Sequence, residues 1–155
     1  MRMRHFLIYA AAMVLIGCGN FFSTDLALGQ HQIDPKTGLI IRNLDDAQIV
    51  RGEAVYATHC VGCHGPNGEA TPHWRKPNSE GKYPPPPLDS SAHAWHHSTD
   101  VLKKTILKGT PPDIGSMPAW EGVLTEQQVD DVIVWIKSLW SNEIYDIWYK
   151  NFETK

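Results

Sequence analysis

Cys60-Val61-Gly62-Cys63-His64 is the stretch of sequence that decides how the rest of the chain folds. Two thiols and an imidazole at this C-x-x-C-H spacing are the sequence that attaches a c-type haem. The thiols can form thioethers with the two vinyl groups on one edge of a porphyrin, which brings the next residue beneath the iron. The spacing therefore predicts one covalent haem c, bound through Cys60 and Cys63, with His64 as an axial ligand.

Two other uses of a C-x-x-C sequence are open at this point. A structural zinc site would need a second cysteine pair, whereas the chain contains only three cysteines. A thioredoxin-like dithiol would need a βαβ pattern, whereas a helical stretch precedes Cys60 and a loop rich in glycine and proline follows His64. Haem attachment explains both cysteines and the histidine, so we prefer it.

The composition supports one small globular domain with terminal extensions, because 42% of the 155 residues are hydrophobic and 20% are charged. The net charge of −3 gives no support for nucleic-acid binding. The sequence offers no separate active site, since it shows no acid–base pair, no nucleophile with its base and no phosphate-binding glycine loop. We therefore predict a protein that is not itself an enzyme.

Residues 1–17 have the features of a secretory signal peptide. Arg2 and Arg4 provide a basic start, and an uninterrupted apolar run over 6–16 follows that is short for a transmembrane helix. This segment predicts a domain outside the cytoplasm, where haem is attached to C-x-x-C-H sequences in bacteria.

Cys18 is the one cysteine outside the C-x-x-C-H run, so it has no partner for an intramolecular disulfide. With the preceding Leu15-Ile16-Gly17 it resembles the bacterial lipobox, in which the cysteine is diacylated and becomes the first residue after cleavage. We predict that Cys18 is lipidated and that residues 18–44 tether the domain to the periplasmic side of a bacterial membrane. Cleavage after Gly29, giving a soluble periplasmic or secreted protein, and an uncleaved anchor are the alternatives.

Helical periodicity begins at Asp45, which with Gln48 fits the two ends of a capping box. Gly52 lies on the apolar face of that helix, and its expected use is close approach by another helix. Thr125 and Gln128 make a second capping box. The apolar stripe of the helix behind it contains Val129, Val132, Ile133, Ile136, Leu139 and Trp140. A short helix is also predicted over 100–108.

Residues 45–141 resemble the class I (monohaem) cytochrome c family. In that family a helix leading into C-x-x-C-H-G crosses the last helix through a glycine and an aromatic residue, and Gly52 and Tyr56 match these positions. The segment 134–139 resembles the last helix of the family, with Trp135 where tyrosine is more common. The resemblance implies an all-α small cytochrome c fold, with three main helices and long loops around one covalently attached haem.

The family supplies its sixth iron ligand as a methionine from a loop before the last helix, and the segment 115–120 resembles that loop. Met117 is the only methionine outside the signal segment and lies 53 residues after His64. The resemblance implies that Met117 and His64 are the two axial ligands. A gap-filling role for Met117 in the core is the alternative.

With this ligation the resemblance implies a one-electron carrier that exchanges electrons with redox partner proteins. Together with the signal segment and Cys18, the sequence predicts a monomeric carrier outside the cytoplasm that interacts with the membrane through its lipid anchor. The alternative is a haem-bearing electron-relay subunit of a periplasmic dehydrogenase or reductase complex. A haem-based gas sensor is a third possibility, and a strong sixth ligand at Met117 speaks against it.

Predictions also follow for the proline run, for a group of three histidines and for the C-terminal residues. The proline run 84–87 is predicted to form an extended wall along the haem or an exposed polyproline segment, and a carbonyl near Pro72 or Pro77 to accept a hydrogen bond from His64. His93, His96 and His97 could bind copper or zinc if they share a helix face, although ordinary loop side chains are the preferred interpretation. Residues 142–155 form a C-terminal extension, with an amphipathic turn or two that packs on the domain or on a partner.

Overall fold

A computed structural model describes residues 31–155, so the signal segment and Cys18 lie outside the described residues. Within 31–155 the fold is helical, and the only β pairing is two isolated bridges. The helices are α1 (Asp46–His59), α2 (Val61–His64), α3 (Thr99–Lys108), α4 (Glu126–Ser138) and α5 (Asn142–Trp148). A 3-10 turn precedes α3 at Ala94–His96, and a π-helical turn continues α5 at Tyr149–Glu153. The predicted all-α fold with long loops is confirmed.

The crossing of α1 and α4 forms the centre of the fold. Gly52 stands at the contact, and a Cβ atom there would lie 2.0 Å from the backbone oxygen of Asp131 and 2.8 Å from the Cβ atom of Trp135. Tyr56, one turn further along α1, packs on Trp135 with the ring centroids 4.0 Å apart. The predicted use of Gly52, close approach by the last main helix, is therefore confirmed.

A buried carboxylate ties the same two helices together. The side chain of Asp131 is 3% exposed, and it accepts hydrogen bonds from Arg51 at 2.7 and 3.0 Å and from Gln48 at 3.1 Å. This contact explains why the capping box predicted at Asp45 forms only in half. Asp45 accepts the backbone N–H of Gln48, but the Gln48 side chain reaches Asp131 instead of turning back.

Helix α4 begins as predicted, because Thr125 and Gln128 form both halves of a capping box. Of the predicted apolar stripe, Leu139 is half-buried, and the other members lie in the core of the domain at most 6% exposed: Val129, Val132, Ile133, Ile136 and Trp140. Helix α3 begins one residue before the predicted position, with Ser98 as its N-cap and Gly109 as its C-cap. An ion pair of 2.6 Å between Lys103 and Asp130 joins α3 to α4.

The C-terminal extension packs on the domain. Trp148 of α5 is 2% exposed, and its indole N–H donates to the backbone oxygen of His97 at 2.9 Å. Lys137, on α4, donates to the hydroxyl of Thr99 at 2.7 Å, and that hydroxyl donates to Glu153 at 2.6 Å. The extension therefore covers the junction between α3 and α4.

Residues 31–44 also lie against the C-terminal extension. A tight turn pairs Ile33 with Ile40, and the backbone N–H of Ile40 donates to Asp146 of α5 at 3.0 Å. His31 stacks on Tyr149 with ring centroids 4.0 Å apart. The part of the predicted tether that the structure describes is therefore packed, and we restrict the tether proposal to the residues before His31.

Candidate functional site

The C-x-x-C-H run lies at the junction between α1 and the single turn of α2. Cys60 is the C-cap of α1, and Gly65 is the C-cap of α2, where its φ of 78° lets the chain turn away directly after His64. Cys60 is half-buried and Cys63 is exposed, and the two thiols are not joined in a disulfide. His64 is 8% exposed. The run therefore presents one thiol to solvent and holds its imidazole inside the protein.

The environment of Cys60 distinguishes the three uses of this sequence. Burial, together with the neighbouring Cys63, raises the pKa of the Cys60 thiol to about 11. A reactive dithiol needs a lowered thiol pKa, so this environment speaks against a thioredoxin-like function. No cluster of three or more histidine, cysteine, aspartate or glutamate side chains is arranged to hold a metal ion within residues 31–155, which leaves the zinc interpretation without ligands.

The imidazole of His64 is fixed by a carbonyl of the proline run. Its Nδ1 atom lies 2.9 Å from the backbone oxygen of Pro86, and because that oxygen can only accept, Nδ1 carries the proton. Burial lowers the pKa of His64, and the contact with Pro86 opposes this shift only in part. A neutral ring with a protonated Nδ1 has its lone pair on Nε2, which is the state required of an iron ligand.

The expectation that a carbonyl near Pro72 or Pro77 would make this contact is wrong. Both residues are exposed in a loop that leaves the site, and the chain returns through Leu88, whose N–H donates to the backbone oxygen of Gly68 at 2.6 Å. That pairing brings the extended segment beside α2. Pro86 is half-buried and Pro87 is buried, so the run is an extended wall of the site and not a freely exposed polyproline segment.

The turn after His64 is held from the α1 side. The hydroxyl of Tyr56 donates to the backbone oxygen of Gly65 at 2.5 Å, and burial raises the pKa of this phenol, so it stays a donor. Tyr56 thus joins the crossing of α1 and α4 to the turn that follows His64. Sequence reasoning found Tyr56 as a packing residue but missed this hydrogen bond, for which a tyrosine nine residues before a glycine gives no signal.

Met117 lies in a loop that is anchored at both sides of the residue. Its N–H donates to the hydroxyl of Thr110 at 3.1 Å, and its backbone oxygen accepts the N–H of Thr110 at 3.1 Å. A Cβ atom on Gly109 would lie 2.6 Å from that same oxygen of Met117, so glycine permits the close approach. The Met117 side chain is half-buried. The loop is therefore a fixed support for a side chain, as an axial ligand requires.

Contacts between aromatic rings connect this loop to the C-x-x-C-H run. Trp120, which follows Met117 by three residues, meets the ring of His59 edge-on with centroids 5.0 Å apart, and His59 directly precedes Cys60. The backbone N–H of Trp120 also donates to the backbone oxygen of Ile106 in α3 at 3.1 Å. The structure thus brings the segments that bear the predicted ligands to a common region between α1 and α3.

One buried donor in the domain lacks a partner. Within residues 31–155, the indole nitrogen of Trp95 is the only buried side-chain nitrogen or oxygen without a hydrogen bond. Such an orphaned N–H is costly unless a group outside the polypeptide accepts from it. A haem carries propionate groups that accept hydrogen bonds, so this residue fits the presence of that cofactor.

Fold and motif together define the class of this protein, a cytochrome c domain. A solved structure with a similar fold is cytochrome cL from the marine methylotrophic bacterium Methylophaga aminisulfidivorans, with a TM-score of 0.51 and 25% sequence identity. The similarity covers 73% of this chain and 70% of that one. The family model described as cytochrome c oxidase, cbb3-type, subunit III matches residues 47–136, more than half of the chain. The chain belongs to that family.

Curated relatives include the cbb3-type cytochrome c oxidase subunit FixP from Bradyrhizobium sp. (strain ORS 278), 32% identical over 105 residues. FixP from Bradyrhizobium diazoefficiens is 31% identical over the same length. Each alignment covers 66% of this chain but 31% of the relative, so the chain spans about a third of the length of these proteins. None of the helices over 31–155 is both long and apolar enough to cross a membrane.

Proposed function

We propose that this protein is a one-electron carrier that works outside the cytoplasm with one covalently bound haem c. Cys60 and Cys63 would hold the cofactor through thioethers, and His64 and Met117 would be its axial ligands. The single C-x-x-C-H run of the sequence supports a monohaem protein of the class I type. When bound, the haem supplies reversible one-electron chemistry at its iron.

The observation that carries this proposal is the state of His64. The chain holds a buried, neutral imidazole with Nδ1 tied to the backbone oxygen of Pro86 at 2.9 Å, so Nε2 is the only nitrogen left for a ligand. A carbonyl partner fixes both the tautomer and the orientation of the ring, as hydrogen-bond partners of metal-binding histidines commonly do. The neighbouring thiols supply the attachment at the spacing that haem requires.

The support around the site favours electron transfer over catalysis. Thr110 anchors the backbone of Met117 on both sides, and Tyr56 fixes the turn after His64. Two ligand-bearing segments held in this way have little freedom to move when the charge of the site changes. A substrate-binding enzyme would need one of them to leave.

The second candidate is an electron-relay subunit of a larger complex. The two Bradyrhizobium relatives are named as subunits of an oxidase, which favours this assignment, although the chain matches only 31% of their length. A relay subunit would use the same proposed haem ligands. The difference lies in whether the protein docks briefly as a monomer or stays bound to its partner.

Localisation rests on the segment outside the described residues. The proposed signal peptide of residues 1–17, the lipidation of Cys18 and a tether reaching to Gln30 would hold the domain on the periplasmic face of a bacterial membrane. Mass spectrometry of the N-terminus of the mature protein tests this directly. A chain that begins near Gln30 without lipid would exclude the anchor and leave a soluble periplasmic or secreted protein.

The carrier proposal is tested on the purified holoprotein. Carbon monoxide, peroxide and nitrite are mixed with it while the absorption spectrum is followed, and electron exchange with a small redox partner is measured in parallel. We expect exchange to be fast and the reactions with these ligands to be slow. Ligand binding or consumption at rates comparable to electron exchange would overturn the proposal, and co-purification with further subunits from solubilised membranes would select the relay alternative.

A further inference from the structure

Two histidine rings face each other across the 3-10 turn that precedes α3. His93 and His97 are the residues on either side of that turn, and their Nε2 atoms lie 3.4 Å apart. The ring centroids are 5.0 Å apart and the rings are inclined by 75°. The C-x-x-C-H site and the Met117 loop use neither residue. The pair is therefore a cluster of two strong ligand atoms with no assigned role.

The backbone at His93 is strained in a way that produces this pairing. Its φ of 65° and ψ of −50°, with the N–H of Ala94 at 3.2 Å from the backbone oxygen of Ala92, define a γ-turn of the rare kind with positive φ. Non-glycine residues adopt this conformation only where the surroundings enforce it, and such strain concentrates at ligand-binding positions.

The surroundings of the turn supply that enforcement. Ala92 and Ala94, the neighbours of His93, are 5% and 4% exposed, so the backbone on both sides is packed into the domain. The backbone oxygen of His97 accepts the indole N–H of Trp148 at 2.9 Å. On its other side, the His93 ring contacts Trp74 with centroids 5.3 Å apart. The two rings are therefore held at a fixed separation by the folded domain.

The separation between the two nitrogens matches one coordination geometry. Zinc binds imidazole nitrogen at about 2.0–2.1 Å, and two such ligands on a tetrahedral ion lie roughly 3.3–3.4 Å apart. Cu²⁺ prefers square-planar or tetragonal coordination, and adjacent ligands of a square-planar ion at the same bond length would lie only about 2.9 Å apart. The observed 3.4 Å therefore fits a tetrahedral ion better than a tetragonal one.

The chemistry of the ligand atoms narrows the class of ion further. Both are imidazole nitrogens, and no third histidine, cysteine or carboxylate completes a ligand set within 31–155. Mg²⁺ and Ca²⁺ prefer oxygen ligands, whereas imidazole nitrogen suits zinc and other transition metal ions.

We propose that His93 and His97 form a binding site for a tetrahedral divalent transition metal ion, of which Zn²⁺ is the representative, with water filling the remaining coordination positions. The site is independent of the haem ligands, so it can be present or absent whatever the outcome of the electron-transfer experiments. Its affinity is modest, because the protein supplies only two of four ligands.

His96 provides a matched control. It lies between the two ligands in sequence, but its ring is packed against Trp95 and Phe152, with centroids 3.9 Å and 5.8 Å away. Its centroid is 6.2 Å from that of His93. Removing its imidazole therefore tests whether binding needs this particular pair or only a histidine-rich surface.

The experiment is a calorimetric titration with Zn²⁺ of the haem-loaded protein, after a chelator has removed other bound metal ions. The thioether bonds keep Cys60 and Cys63 from binding Zn²⁺. We expect about one Zn²⁺ per chain, and binding at least tenfold weaker in both His93→Gly and His97→Gln. Glycine is chosen at 93 because it accepts the positive φ, so the variant keeps its fold. Far-ultraviolet circular dichroism and the haem spectrum are the checks that His93→Gly keeps its fold and its haem site.

A second readout is the melting temperature, which Zn²⁺ should raise in the wild-type protein and in His96→Gln but in neither ligand variant. Unchanged Zn²⁺ affinity in His93→Gly or His97→Gln would overturn the site. So would an equal loss in His96→Gln, or the absence of measurable binding by the wild-type protein.

Discussion

Gly52 of α1 lies so close to Asp131 of α4 that a Cβ atom on the glycine would stand 2.0 Å from the backbone oxygen of the aspartate. Backbone cannot yield in the way a flexible side chain can. Any residue larger than glycine at this position must therefore push the two helices apart. Because Tyr56 of α1 also holds the turn after His64, a change in this crossing reaches the candidate haem site.

The first prediction follows from this contact. We expect Gly52→Ala to lower the free energy of unfolding by about 2 kcal/mol, because overpacking of about 3 kcal/mol outweighs the gain in helix propensity of about 1 kcal/mol. Urea denaturation of the holoprotein measures the change. Gly62→Ala is the control, because no atom lies within 4 Å of a Cβ built on Gly62. Equal effects of the two substitutions would contradict the role given to Gly52.

The second prediction concerns the buried carboxylate of Asp131. Hydrogen bonds from Arg51 are the main reason that its pKa lies below the ordinary value. A lowered carboxyl pKa contributes stability that is fully present above the unfolded pKa and is lost as the pH falls through the folded one. We expect Asp131→Asn to cost about 2 kcal/mol at neutral pH. The difference from wild type should shrink as the pH falls below about 4.

Denaturation of the wild-type protein and of Asp131→Asn across this pH range checks the sign of the pH dependence. Asp130→Asn serves as the control, because Asp130 is 42% exposed and its ion pair with Lys103 lies at the surface. Such pairs contribute about 0–1 kcal/mol. A constant difference between wild type and Asp131→Asn down to the most acid pH would show that the charge of Asp131 is not what stabilises the crossing.

The main helices could be predicted from the sequence because their signals are local. The apolar period of α4 and the Thr125–Gln128 capping box depend on residues three or four positions apart, and both appear in the structure. The buried charges of the same helix gave no such signal. Asp131 and Lys137 are 2% and 7% exposed because α1 and the C-terminal extension cover them, and no local pattern in the sequence marks that burial.

The site could be predicted in its residue types but only partly in its contacts. The spacing of Cys60, Cys63 and His64 predicts covalent haem attachment. The hydrogen-bond acceptor of His64 depends instead on the path of a long loop. Sequence reasoning placed that partner near Pro72 or Pro77, and the structure has Pro86. The γ-turn at His93 was also invisible, because histidine does not signal a positive φ as glycine does.

The third prediction tests Met117 as the sixth ligand. Met117→Ala should convert the low-spin six-coordinate spectrum of the oxidised holoprotein into a high-spin or differently ligated one. Ser116→Ala, at the exposed neighbouring position, should leave the spectrum unchanged. If Met117→Ala retains the wild-type spectrum, the residue fills space in the core and another group is the ligand.

The fourth prediction concerns Lys137, whose ammonium group is enclosed by the C-terminal extension. It donates to Thr99 at 2.7 Å and lies 4.1 Å from the centre of the Trp148 ring. Burial lowers the pKa of this lysine to about 8, although Glu153 and Asp130 oppose the shift. The folded protein therefore releases the proton of Lys137 more readily than the unfolded chain does, so this residue makes folding depend on pH.

The pH dependence has the same sign as for Asp131, because both pKa values are lowered by folding, but here the folded protein favours the neutral form. Between the folded pKa of about 8 and the ordinary lysine value of 10.5, the unfolded state binds more protons, so stability rises with pH. We expect wild type to gain about 3 kcal/mol relative to Lys137→Met over this interval.

Methionine keeps the volume of the lysine side chain and removes its charge. Denaturation at pH values on both sides of the interval measures the gain, with Lys104→Met, at an exposed position of α3, as the control. A wild-type protein that loses stability relative to Lys137→Met as the pH rises would mean that Thr99 and Trp148 stabilise the buried charge by more than its burial costs.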